Sequence, residues 1–318
     1  MKLKIAIYWG AACGGCDVAI LDTHEKILDI AAAADILLWP VAMDFKYADI
    51  RRLEDGYLDV AFFSGAIRNS ENEEIARLLR RKAKTMIALG SCAHTGGIPG
   101  LANMYGRDEI LDRVYRSSES TVNPEGIVPE ERYMAGTDEE LELPRFYNNV
   151  RPLDQVVDVD YYIPGCPPAS MQIYSAIGLI ADDMLPKKGS VIGAGDRALC
   201  DECARKKGEK TINRIYRSHE KVPEPETCFL EQGFICLGPA TRSGCGSRCI
   251  KSVIPCRGCY GPLDDVKDQG IKMLGAIASV LEPKDEKSIN AILDTIVDPL
   301  RTVHRFSLAA SILRRKKA

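Results

Sequence analysis

Twelve cysteines are spread unevenly over the 318 residues. Two of them close the run Trp9-Gly-Ala-Ala-Cys13-Gly-Gly-Cys16-Asp17. A Cys-x-x-Cys turn aims two thiolates at one point, and Gly14 and Gly15 let the backbone wrap close to what they hold. Cys92 lies in Gly90-Ser-Cys92-Ala-His-Thr-Gly-Gly97, and Cys166 in Ile163-Pro-Gly-Cys166-Pro-Pro168. Each run follows an apolar segment that reads as a buried strand: Lys4–Tyr8, Thr85–Leu89 and Val156–Tyr162. Open parallel sheets place ligands beyond the carboxyl ends of their strands. Cys13, Cys16, Cys92 and Cys166 are therefore expected to close around one cluster there.

The other eight cysteines fall within the 60 residues from Cys200 to Cys259. They are Cys200, Cys203, Cys228, Cys236, Cys245, Cys249, Cys256 and Cys259. This stretch is rich in Gly and Pro and has little periodicity. It cannot bury enough apolar surface unaided, and bound metal would supply the missing folding energy. Three chemistries compete for the thiols. Disulfides do not persist in a reducing cytoplasm. Zinc ribbons use Cys-x-x-Cys pairs, but only three such pairs occur and six cysteines lie outside them. Iron–sulfur clusters accept irregular spacings, and twelve divides into three sets of four.

Before that stretch, strand and helix patterns alternate. Strands are expected near Lys4–Tyr8, Ile36–Val41, Leu58–Phe63, Thr85–Leu89 and Val156–Tyr162. Helices are expected over 17–34, 72–84, 107–115 and 169–184. The alternation argues for a doubly wound parallel sheet. Residues 116–152 break it and read as a surface insertion. Pro186-Lys-Lys-Gly189 reads as a boundary, giving domains of 1–186 and 187–318. Three further helices are expected near 270–281, 287–296 and 299–313.

A formal net charge of −3, from 42 basic and 45 acidic side chains, gives no argument for nucleic acid or an anionic membrane. The sequence starts directly into its first strand, with no secretory pattern and no apolar run of about 18 residues. A cytoplasmic location without a membrane span is expected. Arg314-Arg-Lys-Lys317 reads as a solvated tail. Gly193-Ala-Gly195-Asp196 lacks the third glycine of a dinucleotide fingerprint and follows the end of the sheet. His24, His219 and His304 have no partner pattern, and His94, two residues after Cys92, reads as core or surface rather than as a ligand.

Taken together, Cys13-Gly-Gly-Cys16, Gly-Ser-Cys92, Ile-Pro-Gly-Cys166-Pro-Pro, Cys200-Asp-Glu-Cys203, Cys228, Cys236-Leu-Gly-Pro-Ala-Thr241, Cys245 and Cys256-Arg-Gly-Cys259 resemble the small subunit of [NiFe] hydrogenases. The resemblance covers about residues 1–282. In detail it is similar to the cytoplasmic methyl-viologen-reducing hydrogenases of methanogens, which feed a heterodisulfide reductase. It implies a flavodoxin-like sheet domain followed by an irregular iron–sulfur domain with C-terminal helices. It also implies a large-subunit partner holding the nickel–iron centre, and an electron acceptor that is a small iron–sulfur subunit or a heterodisulfide reductase complex.

The same resemblance implies three clusters in a row. Cys13, Cys16, Cys92 and Cys166 match the proximal set. Cys200, Cys203, Cys228 and Cys236 match the distal set, with Cys200 where periplasmic relatives often carry His. Cys245, Cys256 and Cys259 match the medial set. Cys249 is close enough to supply a fourth ligand, so three [4Fe–4S] clusters are implied. Two alternatives remain at this point: the cluster-bearing subunit of complex I, and a zinc-stabilised scaffold without redox function. The first typically has adjacent cysteines at the sheet and lacks the eight-cysteine half.

Overall fold

Alternating side chains on the strands bury both faces of one sheet, and that sheet sets the ends where the first cysteines sit. The computed structural model describes residues 2–134, 136, 140–209, 211–282 and 285–313. The chain runs β1 (Leu3–Trp9), α1 (Gly15–Leu21), α2 (Ile27–Ala33), β2 (Ala34–Leu38), α3 (Tyr47–Arg52) and β3 (Leu58–Ser64). Next come β4 (Ile67–Asn69), α4 (Ser70–Lys82), β5 (Ala83–Leu89), α5 (Gly90–Thr95) and α6 (Arg107–Tyr115). It continues through β6 (Arg132–Met134), β7 (Glu140–Glu142), β8 (Phe146–Arg151), β9 (Tyr161–Ile163) and α7 (Ser170–Ala181). Beyond lie α8 (Arg248–Lys251), α9 (Gln269–Ala278), α10 (Glu286–Leu293) and α11 (Pro299–Val303), joined by loops and 3-10 turns.

The main sheet has the order β2-β1-β3-β5-β9, and every pair is parallel. Counted along the sheet strands this is 2-1-3-4-5, the flavodoxin-like winding, which reverses direction between β1 and β3. Ile5, Ile7, Val60, Phe62, Ile87 and Leu89 face α1, α2 and α7 through Ala19, Ile20, Ile30, Ile173 and Ile177. Their neighbours Ala6, Tyr8, Ala61, Phe63, Met86 and Ala88 face α3 and α4 through Ile50, Ile75 and Leu79. The period of two thus feeds two layers at once. Each fully buried large side chain in them contributes on the order of 1.5–3 kcal/mol.

A separate core spans Leu199 to Val303. Phe229, Leu230, Phe234 and Leu237 pack there with Met273, Ile277 and Ile292, and Cys236 and Cys256 belong to the same cluster. Its last three helices start at side-chain caps: Asp268, Asp285 and Asp298 accept from the backbone N–H groups of Ile271, Ser288 and Arg301. Each such cap is worth about 1 kcal/mol.

Several expected elements differ in extent. The helix expected over 17–34 is broken at Asp22–Lys26, where His24 takes a φ of +55° and the Thr23 hydroxyl bonds back to the Ile20 carbonyl. The 116–152 insertion is not irregular throughout. β6 and β7 form an exposed hairpin, and β8 pairs antiparallel with β4. The strand expected over 156–162 shrinks to Tyr161–Ile163, because the Asp160 carboxylate, not a backbone carbonyl, accepts the Met86 N–H at 2.8 Å. The helix expected over 299–313 ends at Val303, and a separate 3-10 turn covers Leu308–Ala310. The basic tail at 314–317 lies outside the described residues.

Candidate metal centres

The proximal set forms at the carboxyl ends of β1, β5 and β9. After β1 the chain is held by Gly10 N–H on the Ser64 carbonyl and by a reciprocal Ala11–Ala66 bridge. Gly14, at φ +83°, turns beneath the Trp9 indole, which in turn donates to the Ala12 carbonyl at 3.1 Å. The Gly15 N–H points at Cys13 Sγ, 3.4 Å away. Cys92 rides on α5, and Cys166 follows β9. The thiols lie close enough that their neighbours oppose ionisation of Cys16, Cys92 and Cys166. Burial first, then its neighbours, pushes Cys92 up to about 12 and raises Cys16 and Cys166. Such thiols ionise only when a metal supplies the counter-charge, so loading would release protons.

Two glycines show how tightly the backbone is drawn in. A Cβ on Gly90 would sit 2.4 Å from Cys16 Sγ, and one on Gly97 2.6 Å from Cys92 Sγ. Both glycines have positive φ, so any side chain there would be strained as well as crowded.

The distal set lines a cavity of about 720 Å³ that holds Cys200, Cys203, Cys228 and Cys236. Cys200 lies in a 3-10 turn (Leu199–Glu202) that Cys203 closes, and the Cys228 N–H is pinned on the Lys206 carbonyl at 2.9 Å. The wall is mixed: Phe229, Leu230, Ile250 and Val280 are its apolar part, and Arg205, Lys207, Glu231 and Lys272 also line it. Burial, then neighbouring thiols, pushes Cys200 up to about 12; burial pushes Cys236 up to about 11. A Cβ on Gly238 would touch Cys200 Sγ at 3.2 Å.

Cys245, Cys249, Cys256 and Cys259 line a cavity of about 430 Å³, and Cys166 lines it too. The medial set therefore stands against the proximal one. Ser91 strengthens that contact: its Oγ lies 2.8 Å from the Gly165 carbonyl and 2.6 Å from the Cys259 carbonyl. On the other side the Cys256 N–H donates to Cys236 Sγ at 3.3 Å. Glu202, between two distal thiols, accepts from the Gly244 and Ser247 N–H groups of the medial loop. Burial pushes Cys259 up to about 12, and Cys166 adds to it.

All twelve cysteines are free thiols, so the disulfide reading has no support here. Among the described residues no three His, Cys, Asp or Glu side chains converge on a single ion. The distal and medial sets instead each line a cavity, which suits a cluster with several metal atoms better than one zinc. His94 is half-buried against Tyr162, ring centroids 4.6 Å apart, and desolvation pushes its pKa down to about 4, which keeps the ring neutral. Sequence reasoning missed Asp17, Ser91 and Glu202, each next to a cysteine in the sequence; that adjacency was the only available signal. No helix among the described residues is long and apolar enough to cross a membrane.

The family described as "NADH ubiquinone oxidoreductase, 20 Kd subunit" matches residues 13–180. The chain is 37% identical over 322 residues to the iron–sulfur subunit of the F420-non-reducing hydrogenase of Archaeoglobus profundus, covering 99% of both chains. It is 39% identical over 320 residues to a subunit of the F420-non-reducing hydrogenase of Methanothermobacter marburgensis, covering 99% of this chain and 97% of that one. A solved NAD+-reducing [NiFe]-hydrogenase superposes with a TM-score of 0.50 at 29% identity, over 58% of this chain and 94% of its counterpart. Full-length identity at this level, on a flavodoxin-like sheet with thiols at its carboxyl end, favours neither the complex I subunit nor the zinc scaffold. The chain belongs to the iron–sulfur subunits of F420-non-reducing hydrogenases: it is a small subunit of the [NiFe] hydrogenase type, an electron-transfer component whose hydrogen-activating site lies on the partner large subunit.

Proposed function

We propose that this subunit conducts electrons through three [4Fe–4S] clusters held by the proximal, medial and distal cysteine sets, in that order. Cys13, Cys16, Cys92 and Cys166 hold the proximal cluster, next to the large subunit. Cys245, Cys249, Cys256 and Cys259 hold the medial one, and Cys200, Cys203, Cys228 and Cys236 the distal one. The acceptor is a small iron–sulfur subunit feeding a heterodisulfide reductase complex in the cytoplasm, as in methanogens. Residues 1–186 carry the proximal site and residues 187–318 the other two.

One observation carries this reading: Cys259 meets Cys166 in one cavity, while Cys256 reaches Cys236 on its other side. When bound, iron–sulfur clusters pass single electrons at potentials set by cluster type, net charge and hydrogen bonds to sulfur. The protein's part is to fix the spacing, to donate N–H groups to sulfur and to exclude water. Ser91 and the Cys256 N–H fix the spacing, and Phe229 and Leu230 supply apolar wall at the distal site.

The test is an anaerobic preparation of the assembled complex from its native host. About twelve iron and twelve sulfide per chain are expected, with nickel on the large subunit and the acceptor subunits co-purifying. Cys92→Ser should abolish hydrogen-dependent reduction of every dye, since electrons enter at the proximal site. Zinc without sulfide, or wild-type dye reduction in an assembled Cys92→Ser variant, would overturn the reading.

A further inference from the structure

Asp17 follows directly on Cys16 in α1 and is only 2% exposed. Both of its carboxylate oxygens are engaged. Oδ1 accepts from the Trp39 indole N–H at 3.0 Å, and Oδ2 lies 3.0 Å from the Ser64 hydroxyl. That hydroxyl also lies 3.2 Å from the Tyr8 carbonyl, so Asp17 is its nearer acceptor. An indole N–H can only donate, and a carboxylate held by donors on both oxygens is an acceptor on both. No cation pairs with it among the described residues. A buried carboxylate without a counter-charge is costly and is replaced by an apolar residue unless something is gained from it.

The position shows what is gained. Ser64 is the last residue of β3, beside β1 at the reversal point of the sheet, and Trp39 follows β2. The ends of β2 and β3, on either side of β1, thus fix the carboxylate of the residue that follows Cys16. Ser64 pairs with Leu89 of β5, and the next residue, Gly90, lies against the Cys16 sulfur. In so buried a setting a charge is weakly screened.

We infer that Asp17 is a positioning residue that sets the reduction potential of the proximal cluster by holding a fixed negative charge against its Cys16 ligand. Added negative charge disfavours the reduced cluster and lowers its potential. The inference rests on the proposed ligation of the proximal cluster by Cys13, Cys16, Cys92 and Cys166.

Asp17→Asn keeps the shape. The amide oxygen accepts from Trp39, the amide N–H donates to Ser64, and the Ser64 hydroxyl turns to the Tyr8 carbonyl. The assembled hydrogenase would be titrated with dithionite, the reduced-cluster resonances followed by electron paramagnetic resonance, and its iron counted. In Asp17→Asn one of three reduction waves should move to higher potential, the other two staying in place, with about twelve iron retained. Ser64→Ala removes a donor and leaves the charge less neutralised, so the same wave should move to lower potential. A general loosening of the site would not give opposite signs in the two variants. Loss of about four iron in Cys16→Ala but unshifted waves in loaded Asp17→Asn would leave the ligation standing and sink the role of Asp17. Full iron in Cys16→Ala would instead sink the ligation.

Discussion

The backbone N–H of Cys256 donates to the sulfur of Cys236, 3.3 Å away, with both residues buried. A cysteine of the medial set thereby supports a cysteine of the distal set, and the bond ties the two loops together. Hydrogen bonds to sulfur lower its effective negative charge and raise cluster potential. The two sites are therefore coupled through a single peptide group.

Cys236→Ala and Cys200→Ala should differ for this reason. Both remove a distal ligand. Only Cys236→Ala leaves the Cys256 N–H buried without a partner, a loss of about 1–3 kcal/mol. The medial potential should therefore move in Cys236→Ala and hold in Cys200→Ala, as read by redox titration of the medial signal. Equal medial potentials in wild type and both variants would show that the bond carries no coupling.

Ser91 plays the corresponding part between the proximal and medial sets. Its hydroxyl lies between the Gly165 and Cys259 carbonyls and is 2% exposed. Ser91→Ala should retain about twelve iron while destabilising the chain by about 1–2 kcal/mol. The spacing should loosen, and the magnetic interaction between the reduced proximal and medial clusters should weaken. An unchanged splitting in the fully loaded variant would rule out Ser91 as the spacer.

Much of this was legible in the sequence, because the signals were local. Strand periodicity located β1, β3 and β5, and the cysteine runs after β1, β5 and β9 pointed to one site at the sheet end. The parallel winding follows from alternation alone. Long-range pairings left no such trace. The union of β4 with β8 joins residues about 80 positions apart, and nothing in Phe146–Arg151 announces it. The shortening of β9 depends on Asp160 replacing a backbone acceptor, which only three-dimensional placement reveals. Asp17 and Ser91 were visible as residues, but their partners Trp39, Ser64 and Cys259 come from other elements.

The β4–β8 union also predicts an acid-sensitive link. Glu73 on α4 bonds Arg77 on its own helix and Arg151 on β8. Burial alone would raise its pKa, but hydrogen bonds from Arg77, Arg151 and Tyr147 outweigh that and pull it from 4.5 to about 2. A carboxylate depressed on folding stabilises the fold above its unfolded pKa, and that stability is lost as pH falls through the folded value. Glu73→Gln should lower stability at pH 7 by about 1–3 kcal/mol. The gap to wild type should close between about pH 4.5 and pH 2 in anaerobic urea unfolding. A gap independent of pH over that range would show that Glu73 acts by packing alone.

Cys249 decides the medial cluster. It is exposed at the start of α8, yet it shares a cavity with Cys245, Cys256 and Cys259 and adds to the electrostatic strain on Cys259. Three ligands suffice for a three-iron cluster. Cys249 would then be a free, exposed thiol beside iron, open to sulfenic and further oxidation. Four-fold ligation removes that liability and uses every thiol of the medial set. The oxidised wild-type complex should thus lack a three-iron signal by electron paramagnetic resonance. Cys249→Ala should gain one and lose about one iron per chain, while the proximal and distal signals stay as they are. A strong three-iron signal in intact, anaerobically prepared wild type, unchanged in Cys249→Ala, would remove Cys249 from the ligand set.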